Sequence, residues 1–182
     1  MKRRSARKAA ESSWPRATAD RLDVFERSRQ KASAWLDDLM GKLGWDDRHR
    51  TYEALGVVLH VFRDRLPLQE CVSLGAQLPL LLRGLYYQNW DLSEFPRKYR
   101  HAREFLSLVR GGLLAHRLED APEERVVQAV TELLMDRLSS GELEAVRRAL
   151  QPEIRSFFEI GDNSGTGRRW LNEERAWDKF SK

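Results

Sequence analysis

The sequence predicts an all-α fold: an internally duplicated helical bundle, two repeats of three to four helices, with flexible tails. Three observations carry this expectation. Asp64-Arg65-Leu66 and Asp136-Arg137-Leu138 begin matching segments that stay in register, so that Glu70 faces Glu142, Leu78 faces Leu150 and Arg83 faces Arg155. Apolar residues recur at helical spacings through both halves, and prolines, glycines and capping residues cut the pattern into short lengths. No alternating pattern of the kind a half-buried strand requires competes with it.

The first helix spans about Asp20 to Leu43, because Phe25, Ala32, Trp35, Leu36, Leu39 and Leu43 form a stripe opposite Glu26, Lys31, Asp37, Asp38 and Lys42. Gly44 is a natural stop, and Asp46 offers a cap for the next helix, whose stripe is Tyr52, Leu55, Leu59, Phe62 and Leu66. Pro67 breaks that helix, since a proline inside a helix removes a hydrogen bond and clashes with the preceding turn. A third helix then runs from Leu68 to about Gln77, and Pro79 opens a fourth through Leu80, Leu81, Leu82, Leu85 and Tyr86.

Asn89 to Arg100 lacks a helical stripe and contains Asp91, Ser93 and Pro96, so it reads as a loop between the halves. The second half repeats the plan. After a two-residue shift, Trp35-Leu36 aligns with Phe105-Leu106, Leu39 with Val109, Gly41 with Gly111 and Leu43 with Leu113, which gives a helix from about His101 to Leu114. Asp120 with Glu123 forms a capping box before Val126, Val127, Val130, Leu133, Leu134 and Leu138, with Pro122 in the first turn. Ser139 with Glu142 forms a second box, and Pro152 opens a last short helix bearing Ile154, Phe157 and Phe158. Neither half buries much surface alone, so the two are expected to pack on each other, with Trp45, Tyr86, Tyr87 and Trp90 near the interface.

The expected organisation is therefore a basic disordered tail over residues 1–19, a duplicated helical domain over 20–160, and a flexible C-terminal tail over 161–182 able to hold a short helix. Repeat one covers about 23–90 and repeat two about 101–160. The chain has a net charge of +4. Lys2, Arg3, Arg4, Arg7, Lys8 and Arg16 stand against Glu11 alone in the first tail, and the body between the tails is slightly acidic. Attraction to phosphates would thus reside in the N-terminal tail. The longest nearly apolar runs, Gly56 to Phe62 and Gln77 to Leu82, fall far short of the roughly 20 residues that cross a bilayer. The N-terminus lacks a secretory signal pattern, and one cysteine, Cys71, excludes an internal disulfide framework. A cytoplasmic location is expected.

Several blocks carry a family resemblance. They are Trp35-Leu36 through Leu43-Gly44-Trp45-Asp46-Asp47-Arg48-His49-Arg50, then Leu59-His60-Val61-Phe62-Arg63-Asp64-Arg65-Leu66-Pro67, Gly75-Ala76-Gln77-Leu78-Pro79, and Arg83-Gly84-Leu85-Tyr86-Tyr87 with Trp90. With Arg137-Leu138-Ser139-Ser140-Gly141-Glu142 in the second half, they closely resemble the bacterial family called domain of unknown function 2267, over about residues 23–160. The resemblance implies an all-helical, internally duplicated bacterial protein and brings no catalytic residues with it. One departure is Leu150-Gln151-Pro152, where the first half reads Leu78-Pro79.

The residues offer no catalytic, cofactor-binding or metal-ligating constellation. Asp46, Asp47 and His49 cluster near a helix start, where capping and the helix dipole already favour aspartate. His60, His101 and His116 read as surface residues without the spacing of paired metal-binding histidines. Cys71 reads as a buried small residue, and Glu70 and Glu142 as helix-start residues. No phosphate loop, dinucleotide turn or nucleophile elbow is present, and Gly161 to Gly167 is a Gly/Ser/Asn stretch without a preceding strand.

The leading functional expectation is a non-enzymatic helical protein-interaction module, without cofactor, whose candidate partner-binding residues are Trp170, Leu171, Trp177 and Phe180. These four could also fold back onto the body. One alternative is a nucleic-acid-associated protein acting through Lys2, Arg3, Arg4, Arg7 and Lys8. Another is a small-ligand binder at the cleft between the repeats. The sequence leaves partner identity and oligomeric state open.

Overall fold

A computed structural model of the chain describes residues 19–93, 95, 96, 101–150 and 152–158. Both candidate tails lie outside these residues, apart from the start of the first helix. All regular structure among the described residues is helical. The first half contains α1 (Ala19–Leu43), α2 (Arg48–Arg65), α3 (Leu68–Gln77) and α4 (Leu80–Tyr87). The second contains α5 (Ala102–Ala115), α6 (Glu123–Arg137), α7 (Ser140–Ala149) and α8 (Pro152–Arg155), with a 3₁₀ turn at Ser156–Phe158.

The punctuation works as chemistry requires at most helix ends. Gly44 adopts φ +70, the left-handed conformation in which a residue without Cβ ends a helix at least cost. Pro67 and Pro79 stand immediately before α3 and α4. Ser139 Oγ accepts from the Glu142 amide at 3.3 Å, which is half of the expected capping box.

Two expected caps are corrected. Asp47 rather than Asp46 caps α2, its Oδ1 accepting from the Arg50 amide at 3.0 Å. Asp120 does not cap α6; it accepts from Arg50 Nη2 at 2.8 Å, and Pro122 occupies the cap position. α6 begins at Glu123, so Asp120 stands two residues before the cap position, where its carboxylate takes a charge-assisted bond from α2 instead.

The halves interleave. α1 packs on α6 and α5 packs on α2, while α2 meets α6 and α3 meets α7 across the middle. One core results, running from Trp35, Leu36 and Leu39 through Leu55, Val58, Leu59 and Phe62 to Phe105, Val126, Val130, Leu133 and Phe157. Leu55 and Leu59, from the first half, and Val126 and Leu133, from the second, are all fully buried. At about 1.5 to 3 kcal/mol for each large apolar side chain, the mutual burial of these faces dominates the stability of either half.

The register that pairs Arg83 with Arg155 extends to their bonds. Arg83 Nε donates to the Gly75 carbonyl at 2.8 Å, and its Nη2 donates to those of Ala76 and Leu78. Arg155 Nε donates to the Arg147 carbonyl at 2.9 Å, and its Nη2 to that of Leu150. Each arginine thus satisfies the orphan carbonyls at the end of the preceding ten-residue helix.

Candidate functional site

The charged candidate residues Lys2, Arg3, Arg4, Arg7 and Lys8 and the apolar candidates Trp170, Leu171, Trp177 and Phe180 lie outside the described residues. Within the described body, the seam between the halves is filled by apolar side chains. The Phe62 ring lies 5.1 Å from Phe105 and 5.5 Å from Phe158, and Phe105 lies 5.9 Å from Phe157. Ion pairs close the rim: Lys42 reaches Asp136 at 2.7 Å, Arg50 reaches Asp120 at 2.8 Å, and Arg137 pairs with Asp38. Arg50 also lies 4.2 Å from the centre of the Trp45 ring, so that aromatic does stand at the junction.

The other expected interface aromatics pack within the first half. Tyr86, Tyr87, Trp90 and Phe95 form a chain of ring contacts between 5.0 and 5.6 Å. They enclose Arg63, a buried guanidinium from α2. Its Nε donates to Asp64 at 2.8 Å, and its Nη1 donates to the Tyr86 carbonyl at 2.6 Å and the Gln88 carbonyl at 3.0 Å. A buried cation is tolerated only with such partners, so Arg63 fixes the chain leaving α4. Cys71 is fully buried beside it, with its thiol donating to the Arg63 carbonyl at 3.0 Å. Burial pushes that thiol up to about 11, against the opposing effect of the adjacent Tyr86 hydroxyl. At neutral pH it is therefore a small core group and a poor nucleophile.

The histidines divide by environment. His49 is exposed, and so is His101, as expected. His116 is exposed too, yet its Nδ1 meets Glu53 at 2.6 Å across the α2–α5 junction. His60, expected on the surface, is half-buried, and its ring Nε2 meets the Leu85 carbonyl at 2.7 Å. Burial, rather than any charge, is the main cause holding it below the usual histidine range. Its pairing with a carbonyl requires the Nε2–H tautomer. Among the described residues no group of three or more His, Cys, Asp and Glu side chains could hold a metal ion.

Glu70 and Glu142 meet where α3 packs on α7. Burial first, and the Glu70 charge second, raise the Glu142 carboxyl above its ordinary range. Glu142 Oε1 is buried without a hydrogen-bond partner among the described residues. Capping therefore accounts for its place in the first turn but not for its cost.

The feature that sequence reading missed lies on the opposite side of α3. Leu68, Val72 and Ala76 follow one another at four-residue spacing and all face solvent. Leu80 and Leu81, at the start of α4 just after α3 ends, are exposed as well. Leu68, Val72, Leu80 and Leu81 are 54%, 53%, 49% and 49% exposed, respectively. The matching stripe of α7 reads Ser140, Glu144 and Arg148, with Arg148 paired to Glu144 at 3.8 Å. Glu153 stands where the first half has Leu81, and its carboxylate accepts from the Ala102 amide at 2.7 Å, which caps α5. One half thus has an ordinary solvated surface and the other an apolar face at the same positions. Exposed apolar side chains that cluster in this way mark contact surfaces, whereas scattered ones do not. The signal was in the sequence, as a mismatch inside otherwise matched helices.

The described residues define a small all-helical body with exposed apolar side chains on α3 and α4, and no helix among them is long and apolar enough to cross a membrane. The chain belongs to the family described as Uncharacterized conserved protein (DUF2267), whose model matches residues 32–157. No curated protein matches it.

Proposed function

We propose that this protein is a non-enzymatic helical interaction module, and that Leu68, Val72, Ala76, Leu80 and Leu81 receive an apolar helix face from a protein partner. The observation that supports this reading is the replacement of a solvated stripe, Ser140, Glu144 and Arg148, by an apolar one at the matching positions of α3. The exposed length from Leu68 to Ala76 is about 12 Å at 1.5 Å per residue, enough for two turns of a partner helix anchored at i, i+3 or i+4, and i+7. The exposed glutamines Gln69 and Gln77 follow Leu68 and Ala76 in sequence, and the Arg83 guanidinium lies at the Ala76 carbonyl, so polar groups are at hand beside the apolar ones.

Affinity capture from a bacterial lysate tests the reading by comparison. Val72→Glu/Leu81→Glu should lose the proteins that the wild-type chain captures, while Glu144→Ala/Arg148→Ala on the matching face should keep them. Identical captured sets for all three chains would overturn it.

A further inference from the structure

We propose that residues 168–182 of the same chain are the resident occupant of the α3–α4 face, held there until a partner displaces them; this rests on the face being a docking surface. The point where the described chain ends favours it. Phe158 is buried, and its ring lies 5.5 Å from Phe62, six positions before Leu68 at the start of α3. The described chain therefore ends packed against α2, the helix that leads through Pro67 into α3. A dozen residues separate Phe158 from Trp170 and span up to about 40 Å when extended, more than the distance across a body of this size.

The chemistry of the segment matches the surface. Trp170, Trp177 and Phe180 fall at i, i+7 and i+10, a spacing that would put the three on one side if the segment were helical. That side is about 15 Å long at 1.5 Å per residue, close to the length of the α3 stripe with Leu80 and Leu81 added. Arg168, Arg169, Arg175, Lys179 and Lys182 exceed Glu173, Glu174 and Asp178 by two, a small net charge, and the exposed side chains next to Leu68 and Ala76 in sequence, Gln69 and Gln77, are uncharged. Tethering supplies an effective concentration in the millimolar range, so an individually weak contact suffices to keep the face covered. An external helix must then compete with this segment, which gives the surface a built-in threshold.

Hydrogen exchange of the full-length chain, read by mass spectrometry, tests the proposal. The wild type is compared with Val72→Glu/Leu81→Glu and with Trp170→Ala/Trp177→Ala/Phe180→Ala, each at two protein concentrations about 50-fold apart, since tethered docking is independent of concentration. Amides of residues 168–182 should exchange about tenfold faster in the face variant, and those of 68–87 about fivefold faster in the tail variant, at both concentrations. Circular dichroism shows whether each variant keeps its helices, and the tail variant alters no core residue. Tail protection that survives the face substitutions, or wild-type tail amides with no protection, overturns the proposal. Protection that appears only at the higher concentration overturns it in favour of a second copy. If the tail result fails while Val72→Glu/Leu81→Glu still loses captured proteins, the docking surface stands without this occupant.

Discussion

Gly112 on α5 faces Val57 on α2 so closely that a Cβ at Gly112 would stand 2.6 Å from Val57 Cγ1. Gly111, one residue earlier, has nothing within 4 Å of the same construction. Helix propensity counts both against the helix, but only one of them is required by packing. Gly111→Ala should stabilise the protein by about 1 kcal/mol, the ordinary gain of alanine in a helix. Gly112→Ala should destabilise it by about 1 to 3 kcal/mol, because β-branched Val57 has little rotamer freedom with which to yield. Urea unfolding of the two variants checks the opposite signs, and Val57→Ala should recover most of the loss in the Gly112→Ala background.

Arg63 makes a different demand on the same core. Arg63→Ala removes the partner of Asp64 and leaves the Tyr86 and Gln88 carbonyls without their donor. A cost of about 3 to 5 kcal/mol is expected, as for breaking other buried ion pairs. Arg63→Lys should recover only part of it, since an ammonium cannot reproduce the planar fork that reaches three acceptors. Chemical denaturation measures both.

Two groups give stability opposite dependences on pH. His60 is held below its ordinary value of 6.5 by burial, so the unfolded chain takes up its proton first and stability falls as pH drops through that value. His60→Gln, which keeps an N–H for the Leu85 carbonyl, should flatten the fall in urea midpoint between about pH 7.5 and pH 5.5. Glu142 is raised above 4.5 by burial and by Glu70, so its contribution is present below that value and lost as pH rises through it. Glu142→Gln should therefore raise the midpoint at neutral pH and leave it unchanged once both forms are uncharged. A fall on substitution at neutral pH would show that the ionised carboxylate supports the fold.

Helix boundaries were legible because covalent constraints set them: Pro67, Pro79 and Pro152 stop or open helices with little help from tertiary packing. Arg83 and Arg155, aligned in sequence, make similar bonds to the ends of α3 and α7. Asp120 was misread because α6 begins later, at Glu123, and its partner, Arg50, lies seventy residues away. His60 was misread because the Leu85 carbonyl that holds it belongs to another helix. The apolar face went unseen because matched positions were read as caps and core, while the informative difference was Val72 against Glu144 within that match. Trp170, Leu171, Trp177 and Phe180 were singled out by composition, and their role depends on what they touch.

A photo-reactive amino acid placed at position 72, and in a second chain at position 144, tests the central claim most directly. The two sites occupy matching places on α3 and α7, so they differ in surroundings and not in helix geometry. The account predicts a polypeptide adduct from position 72, mapped by peptide mass to residues 168–182 or to a captured partner, and quenching by water at position 144. Equal adduct yields at the two positions, or none from position 72, would contradict it.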